Sequence, residues 1–509
     1  MKKTLNWTST LIKEKSLRVN RLFPVACLLP PASIRLLLAA CLLSLVSVAS
    51  QAQTDDARYT TLLARLNSLK AEATQVEDLN AITRLGRAFA YYLDKGYFGE
   101  AANLFADEGR VVYGVDGVYT GRDRIKELFT RHGGGSMNAG PGLPFGRLNM
   151  HMHLQPLVTI SADDRSAQAR WREWGQLGNY KDKAEWSDAI LENDYIKEDG
   201  VWKVREMRYY INFVAPYIGG WASLEPAGRD WRSPISKDFK PDQRSPLNYK
   251  RFPEITVPPF HYADNKSSIM TPPPVTAMPK RPDDALGKLE ARADQEALKL
   301  ARVHAVRAVE NLQAMFGYYF DKGLWSDAAD LFTDDGTWEF GQYGVYQGKA
   351  SIARGMTVIG PEGLEPGQLN NFPMLQPVIH VSEDNSKAWG RFRSDVMRSV
   401  DGPDGMKGQW GGGLYENEYI NDNGTWKISK QHYWVTYWGD YDKGWVRDGI
   451  IPVDQASTEV PPDAPPTVVY ESLPHTYVVP FHYNHPVTGE PHDDMGRLAR
   501  DKAAGKNVR

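Results

Sequence analysis

Apolar residues recur along the chain first at helical spacing and then at strand spacing. An amphipathic helix is predicted by apolar positions three or four residues apart, namely Leu62, Leu66, Leu69, Ala73 and Val76. A second helical stretch runs to about Leu93, where Gly96 is placed to end it. A short helix is predicted around residues 100–105.

β-Type sequence follows these helices. Five segments rich in aromatic and β-branched residues are bounded by Gly, Asp and Asn, and they predict strands at residues 110–113, 154–160, 167–176, 189–197 and 202–211. Asp199-Gly200 between the last two is a hairpin turn signal. Helices followed by antiparallel strands are typical of an α+β fold, with the helices on one face of a curved sheet.

The whole pattern occurs twice. Residues 89–125 align with residues 316–352 at a constant offset of 227, and eighteen of these 37 positions are identical. The phrase Pro-Phe-His-Tyr at 259–262 returns at 480–483. Each unit of about 200 residues is a full domain rather than a solenoid repeat. The predicted organisation is a first domain at 53–265, a proline-rich linker at 266–282, a second domain at 283–485 and a loose tail at 486–509.

The N-terminus predicts an export signal. Basic residues up to Arg35 precede an apolar run at 36–49, which is too short to span a bilayer, and Ser50-Gln51-Ala52 is a small-x-small cleavage pattern. Residues 38–41 also match a lipobox ending at Cys41, but the apolar run continues past that cysteine. We therefore predict a signal peptide at 1–52, cleavage after Ala52, and a periplasmic or secreted protein that keeps no membrane attachment.

Charge and cysteine content narrow the function classes. The chain has 60 basic and 63 acidic residues, so net charge gives no support to a nucleic-acid partner. Without residues 1–52, 53 basic and 62 acidic residues remain, and both cysteines, Cys27 and Cys41, are gone. Thiol chemistry is then excluded from the mature chain, and a chain without cysteine suits an oxidising compartment.

Several loose motifs, in the same order in both repeats, carry a resemblance to a known family. They are Leu-Phe-x-Asp-(Asp/Glu)-Gly at 104–109 and 331–336, Tyr-x-Gly at 119–121 and 346–348, and a hairpin leading to Trp-Lys at 202–203 and 426–427. This order resembles the SnoaL-like branch of the nuclear transport factor 2-like superfamily over roughly 76–213 and 306–437. The resemblance implies two cone-shaped α+β domains, each with N-terminal helices packed on a strongly curved, mostly antiparallel sheet that encloses a pocket. That fold hosts isomerases, dehydratases, cyclases, lyases and non-catalytic binders, so function must be argued from the site.

Two branches of the superfamily place different residues in the pocket. The base of ketosteroid isomerase-like members falls at Tyr113 and Phe340, so that base is missing. In scytalone dehydratase-like members the matching catalytic positions are Asp94, Tyr113 and His151, although the Ser/Asn pair of that branch is absent near residues 189–191. An imidazole that moves a proton near neutral pH, oriented by Tyr and a carboxylate, suits dehydratase-type chemistry. The second unit keeps the Asp but has Phe at both other positions, which places any such chemistry in the first unit.

Each candidate also has a structural interpretation. Asp94 could organise the turn at the helix end, Tyr113 could be a core aromatic, and His151 an ordinary strand residue. His151-x-His153 places two imidazoles on one strand face, but no third ligand is evident, so no metal is predicted.

The second unit has its own polar set, with Asp321, Glu339, Arg391 and Tyr433 as candidates for substrate binding. Arg391, Arg393 and Asp395 alternate and so share a face, which suits an anionic or polyhydroxylated ligand if it is the pocket face. The preferred interpretation is an outer, solvated stripe. For Tyr433 and the aromatic residues near it, core and domain packing is preferred over an aromatic-substrate platform.

The leading hypothesis is an exported protein that binds a small apolar or aromatic molecule and carries out cofactor-free acid–base lyase, dehydratase or isomerase chemistry in its first domain. One alternative is a non-catalytic ligand-binding module. Another is a structural role, in which the two domains pair face to face within the chain, as in the homodimers common in this superfamily. Homo-oligomerisation stays open.

Overall fold

The computed structural model describes residues 31–137, 141–224, 238–262, 285–402, 405–445 and 457–492, with side chains from residue 55 onward and none for residue 285. The chain divides into two compact units, residues 1–62 and residues 63–509, and the second unit holds both repeats. The predicted linker at 266–282 lies outside the described residues. Within the described part of the chain, no helix has an apolar stretch long enough to cross a bilayer.

The first repeat begins with one long helix, in which the two predicted helical stretches are continuous. Its elements are α1 (Pro31–Lys95), α2 (Phe98–Asn103), β1 (Phe105–Tyr113), β2 (Gly117–Thr120), α3 (Arg122–His132), β3 (Arg147–Ile160), β4 (Ser166–Asn179), β5 (Lys183–Glu198), β6 (Val201–Pro216) and a 3-10 turn (Gly220–Ser223).

The second repeat has the same order of elements. They are α4 (Ala285–Asp321), α5 (Trp325–Asp330), β7 (Phe332–Phe340), β8 (Val345–Gln347), α6 (Lys349–Met356), β9 (Asn370–Asn371), β10 (Leu375–Val381), β11 (Lys387–Val400), β12 (Lys407–Asp422) and β13 (Thr425–Asp440).

Each repeat forms one curled, open sheet. The strand order is β2-β1-β6-β5-β4-β3 in the first and β10-β11-β12-β13-β7-β8 in the second, with β9 paired to β11. Every pairing is antiparallel except β1 with β6 and β7 with β13, which are parallel. The predicted α+β class and its duplication are confirmed.

The helix ends and the hairpin turn lie at the glycines where the sequence predicts them. Gly96, at φ 72°, ends α1 in the left-handed region that glycine adopts at low cost, and Gly323, at φ 66°, does the same after α4. Asp199 and Gly200 both have positive φ, as a type I′ hairpin turn requires, and they join β5 to β6.

A long segment packs over the protein after the last strand of each domain. This wrapping segment is described at residues 238–262 in the first repeat and 457–492 in the second, and a repeated set of contacts, the clamp, holds it. Arg170 pairs with Glu192 at 2.9 Å, and Glu192 contacts His261 Nδ1 at 3.0 Å. The Arg170 guanidinium lies 4.2 Å from the ring centroid of Phe260. In the second domain the corresponding arginine, glutamate, histidine and phenylalanine make the same contacts, namely Arg391, Glu416, His482 and Phe481.

The predicted loose tail begins too early at residue 486. His485 Nε2 contacts the Glu100 carbonyl at 3.0 Å, and the Tyr92 hydroxyl contacts His492 Nε2 at 2.9 Å. The chain as far as His492 therefore packs on the first domain, while residues 493–509 lie outside the described part.

The two domains pair within the chain, as one hypothesis predicts. Tyr91 donates from its hydroxyl to the Gln376 carbonyl at 2.9 Å, and Arg87 donates to the Pro377 carbonyl at 2.8 Å. The Trp186 and Trp445 rings meet edge to face, with centroids 4.8 Å apart. Hydrogen bonds and aromatic packing together join the faces of both sheets into one compact body.

Candidate functional site

The first domain encloses a cavity of about 440 Å³ between α1, α3 and the concave face of its sheet. Leu93, Phe98, Phe129, Ile211 and Val214 supply apolar wall. The volume falls within the range of roughly 300–1,000 Å³ typical of small-molecule sites.

Strand β3 delivers one row of side chains to this cavity. Residues two apart on a strand share a face, so Arg147, Asn149, His151 and His153 all point inward. Arg147 and His151 line the cavity, whereas Asn149 and His153 lie deeper and are almost fully buried. His153 Nδ1 contacts the Gly86 carbonyl of α1 at 2.9 Å.

Glu173 is the residue that the sequence analysis missed. It lies on β4 directly opposite His153 in the antiparallel register, and only 3% of its surface is exposed. Its carboxylate lies 3.4 Å from His151 Nδ1 and 3.1 Å from His153 Nε2. One buried carboxylate therefore contacts two imidazoles, and only that of His151 reaches the cavity.

Charge pairing sets the ionisation of this group. Burial would raise the pKa of Glu173, but His151 and His153 outweigh it and hold the pKa well below its usual range. Burial would lower the pKa of His151, but Glu173 and Asp94 outweigh it and raise the pKa above its usual value. His151 is therefore a stronger base than a free imidazole, held against an ionised carboxylate.

Replacing Glu173 by Gln is expected to lower the pKa of His151. The negative charge of Glu173 stabilises the imidazolium, and a neutral amide of the same shape removes that effect. NMR titration of the imidazole resonances, with His151 assigned by its loss in His151→Gln, measures the change. Glu185→Gln removes the same charge elsewhere on the cavity wall and is expected to leave this pKa closer to native. A pKa of His151 that stays unchanged or rises in Glu173→Gln contradicts the pairing.

Two tyrosines and a second histidine complete the polar wall. The Tyr113 ring lies 5.3 Å from Tyr209 and 4.3 Å from His132, between centroids. Burial and the nearby Glu173 raise the pKa of both tyrosines, so their hydroxyls stay protonated and can donate hydrogen bonds. Burial, Arg251 and Arg147 lower the pKa of His132 to about 3, so this ring is neutral at physiological pH.

Asp94, predicted to work in the cavity, does not line it. Asp94 Oδ1 accepts the backbone N–H of His151 at 2.6 Å, and Oδ2 forms an ion pair with Arg393 of the second domain. In the second domain Asp321 Oδ1 accepts the backbone N–H of Phe372 at 2.5 Å, in the equivalent position. The Asp at the helix end therefore fixes the neighbouring strand in both repeats, and the geometry gives it a positioning role.

The polar candidates of the second domain hold its wrapping segment. Glu339 accepts the Thr467 N–H at 2.9 Å and its hydroxyl at 2.7 Å. Arg391, beside its clamp partners, donates to the carbonyls of Val479 and Pro480 at 3.0 and 2.7 Å. These carboxylate and guanidinium groups are thus engaged by the protein itself.

The predicted solvated stripe on β11 is wrong. Arg391 and Arg393 are each only 1% exposed, because the face they share is covered by the first domain and by the wrapping segment. Asp395 accepts a hydrogen bond from Gln176 of the first domain at 2.8 Å, and burial raises its pKa to about 7. This face of the sheet is an interface between domains.

In the second domain, aromatic rings occupy the positions that correspond to the polar wall of the first cavity, and a smaller cavity of about 170 Å³ remains beside Trp325. Phe340 and Phe372 stand where Tyr113 and His151 stand in the first, and Tyr433 corresponds to Tyr209. The Tyr433 ring packs 4.9 Å from Phe340 and 4.7 Å from Tyr415, and all of these side chains are buried. Tyr433 is a core residue here, in agreement with the interpretation preferred for the aromatic cluster.

A metal site needs at least three protein ligands that converge on one point. Among the residues that the structure describes, no cluster of three or more His, Cys, Asp or Glu is arranged to hold a metal ion. His151 and His153 instead converge on Glu173.

Comparison with known sequences agrees with the fold. The sequence model of the SnoaL-like domain family matches residues 74–208 and again residues 301–432, more than half of the chain. The chain belongs to the SnoaL-like family. Both SnoaL-like domains contain the complete helix-and-sheet unit, and the cavity lies in the first of them. A search of curated proteins finds no match.

Solved structures similar to this chain cover one SnoaL-like domain at a time. A protein assigned as a scytalone dehydratase, from Novosphingobium aromaticivorans, is 20% identical, with a TM-score of 0.25, and the match covers 31% of this chain and 97% of that one. A hexachlorocyclohexane dehydrochlorinase (LinA) of type 2 is 19% identical, with a TM-score of 0.24, covering 32% and 98%. Likeness at this level carries no argument about activity.

Proposed function

We propose that the first SnoaL-like domain is a cofactor-independent acid–base catalyst that acts on a small apolar or aromatic molecule. The observation that carries the proposal is the contact between His151 and Glu173 at one wall of a cavity that also offers apolar surface from residues such as Phe98 and Phe129. A half-buried base next to a carboxylate in a concave site suits proton abstraction from carbon.

The chemistry proposed is removal of a proton beside a carbonyl group. His151 Nδ1 faces Glu173, which leaves Nε2 to take the proton from a bound molecule. The electron pair moves to the carbonyl oxygen, and the protonated Tyr113 at the same wall supplies a hydroxyl donor to it. Return of the proton from His151 to another carbon gives an isomerase. Transfer of that proton from His151 to a β-hydroxyl, which leaves as water while the electron pair returns to form a C=C bond, gives a dehydratase.

A screen in D₂O tests the proposal on a range of compounds and does not require an identified substrate. A panel of aryl ketones, cyclohexenones and β-hydroxy ketones is incubated with the protein, and mass spectrometry follows deuterium uptake or loss of water. We expect at least one compound to exchange faster than in buffer. Val214→Trp, which introduces a large ring at the cavity wall, is the control and should abolish the exchange. The absence of exchange across the panel contradicts catalysis, and saturable binding without exchange supports the alternative of a ligand-binding module.

For the second domain we propose a structural role. The buried rings of Phe340 and Phe372 replace Tyr113 and His151 in this domain, and its buried Arg393 contacts Asp94 of the first domain. This domain takes the place of the second subunit in a homodimer and supports the strand that carries His151.

A further inference from the structure

The cavity of the first domain contains a fixed positive charge that the acid–base chemistry does not use. Arg147 lies on the same inward row of β3 as His151, four residues away. At about 3.3 Å per residue, their Cα atoms are about 13 Å apart along the strand. The Arg147 side chain reaches Asn149, the next residue of that row, and its charge acts on His151, so one bound molecule can meet both groups.

Neutral oxygens hold the Arg147 guanidinium. Nε donates to Asn149 Oδ1 at 2.7 Å, one terminal nitrogen to Asn179 Oδ1 at 3.2 Å, and the other approaches the His132 carbonyl at 3.5 Å. These contacts fix the direction of the group without neutralising it. A ligand that meets it finds a preorganised donor, which reduces the entropy lost on binding.

The acidic residue that acts on Arg147 already has another partner. Among the described residues no carboxylate lies within 4.0 Å of its guanidinium, and Glu185, which acts on it from farther away, pairs with Lys183 at 2.9 Å. Burial lowers the pKa of Arg147, as expected for a desolvated cation, and Glu185 only partly opposes this. Buried or half-buried charges in proteins are usually paired, so such a group in a ligand cavity favours an anion supplied by the ligand.

The rest of the wall fits the same ligand. Arg251, from the wrapping segment, lines the cavity and adds to the positive potential, since it acts with Arg147 in lowering the pKa of His132. His132, which lies beside Tyr113, is neutral, so it adds no second positive charge that could bind the ligand's anionic group in place of Arg147. Phe98 and Phe129 offer flat apolar surface for the body of the molecule.

We infer that the cavity takes an apolar or aromatic carboxylate, whose anionic group binds Arg147 and whose reacting carbon lies beside His151. This inference rests on the proposed function for the role of His151, but the anion subsite stands on the geometry of Arg147 alone. It narrows the substrate class from any small apolar molecule to one that carries a carboxylate.

A matched pair of probes tests the subsite. 2-Naphthoate and 2-naphthamide have nearly the same shape and differ in charge, and calorimetry at low ionic strength measures the affinity of the whole protein for each. We expect the carboxylate to bind about 10–100-fold more tightly, as a charge-assisted bidentate contact allows. The preference should shrink as salt is raised. Equal affinities, or no binding of either probe, overturn the inference.

Variants separate charge from packing. Arg147→Gln should remove the preference, because it lowers the affinity for 2-naphthoate while it changes the affinity for 2-naphthamide less than about twofold. Arg147→Lys should retain part of the preference. The matched control is Arg172→Gln on β4, where the arginine pairs with Asp188 at 2.7 Å outside the cavity. A loss of affinity for both probes alike in Arg147→Gln would show a packing role and overturn the subsite.

The two proposals fail in different ways. Deuterium exchange by a protein without carboxylate preference contradicts only the subsite. Carboxylate preference without exchange of any compound contradicts only the catalytic proposal.

Discussion

His151→Gln is expected to reduce the turnover of a compound found by the D₂O screen by about 10²–10⁴-fold, the contribution typical of a positioned general base. The amide of glutamine cannot take up the proton, whereas the backbone N–H that binds Asp94 is retained. The fold and the cavity wall should therefore persist, and affinity for the compound should change little. Initial rates across a range of substrate concentrations separate kcat from KM.

His261→Gln is the matched control for that variant. His261 also contacts a glutamate, Glu192 at 3.0 Å, but it belongs to the clamp on the wrapping segment. Its loss should leave kcat within about twofold of native if the clamp only holds that segment. A His151→Gln protein that is folded, binds the compound and turns it over at the native rate would remove His151 from the mechanism.

The helices, strands and turns could be predicted from the sequence because each depends on a short local pattern and each pattern occurs in both repeats. Helical spacing up to Leu93, a stop at Gly96 and a turn at Asp199-Gly200 each depend on a few neighbouring residues. The duplication then confirmed each signal independently. The continuity of α1 was also open to prediction, since no residue between its two apolar stretches acts as a helix breaker.

The candidate site was only partly predictable. His151 and Tyr113 were found through the family resemblance, and both line the cavity. Glu173 was missed because its role depends on the register of β4 against β3, which sets it opposite His153. The strand does carry a signal: Trp171 and Glu173 share an inward face, and a carboxylate in that row needs a partner.

Residues shared by both repeats misled the search for binding groups. Asp94 and Asp321 fix a strand, and Arg170 and Arg391 hold a wrapping segment in their respective domains. The cavity that His151 and Tyr113 line has Phe372 and Phe340 at those two positions in the second repeat, so a polar residue present in both repeats is better explained by the common scaffold. The residues that differ, such as His151 against Phe372, carry the information about chemistry.

The ion pair between Arg393 and Asp94 links the scaffold of one domain to the site of the other. Both side chains are only 1% exposed, and Asp94 also holds the backbone of His151. Removing one member of a buried pair leaves the other charged and desolvated, which typically costs about 3–5 kcal/mol. We expect Arg393→Met to lower the free energy of unfolding by about this amount in urea titration, and Asp94→Asn/Arg393→Met to recover much of it.

Asp321→Asn provides the comparison, because that carboxylate makes the same backbone contact in the second domain without an ion pair to an arginine. Its cost should be about 1 kcal/mol, the net value of a typical hydrogen bond. If Arg393→Met costs no more than Asp321→Asn, the pair is not what joins the domains. If it costs the larger amount and also slows turnover in the fraction that stays folded, then the second domain supports the first by holding the strand that carries His151.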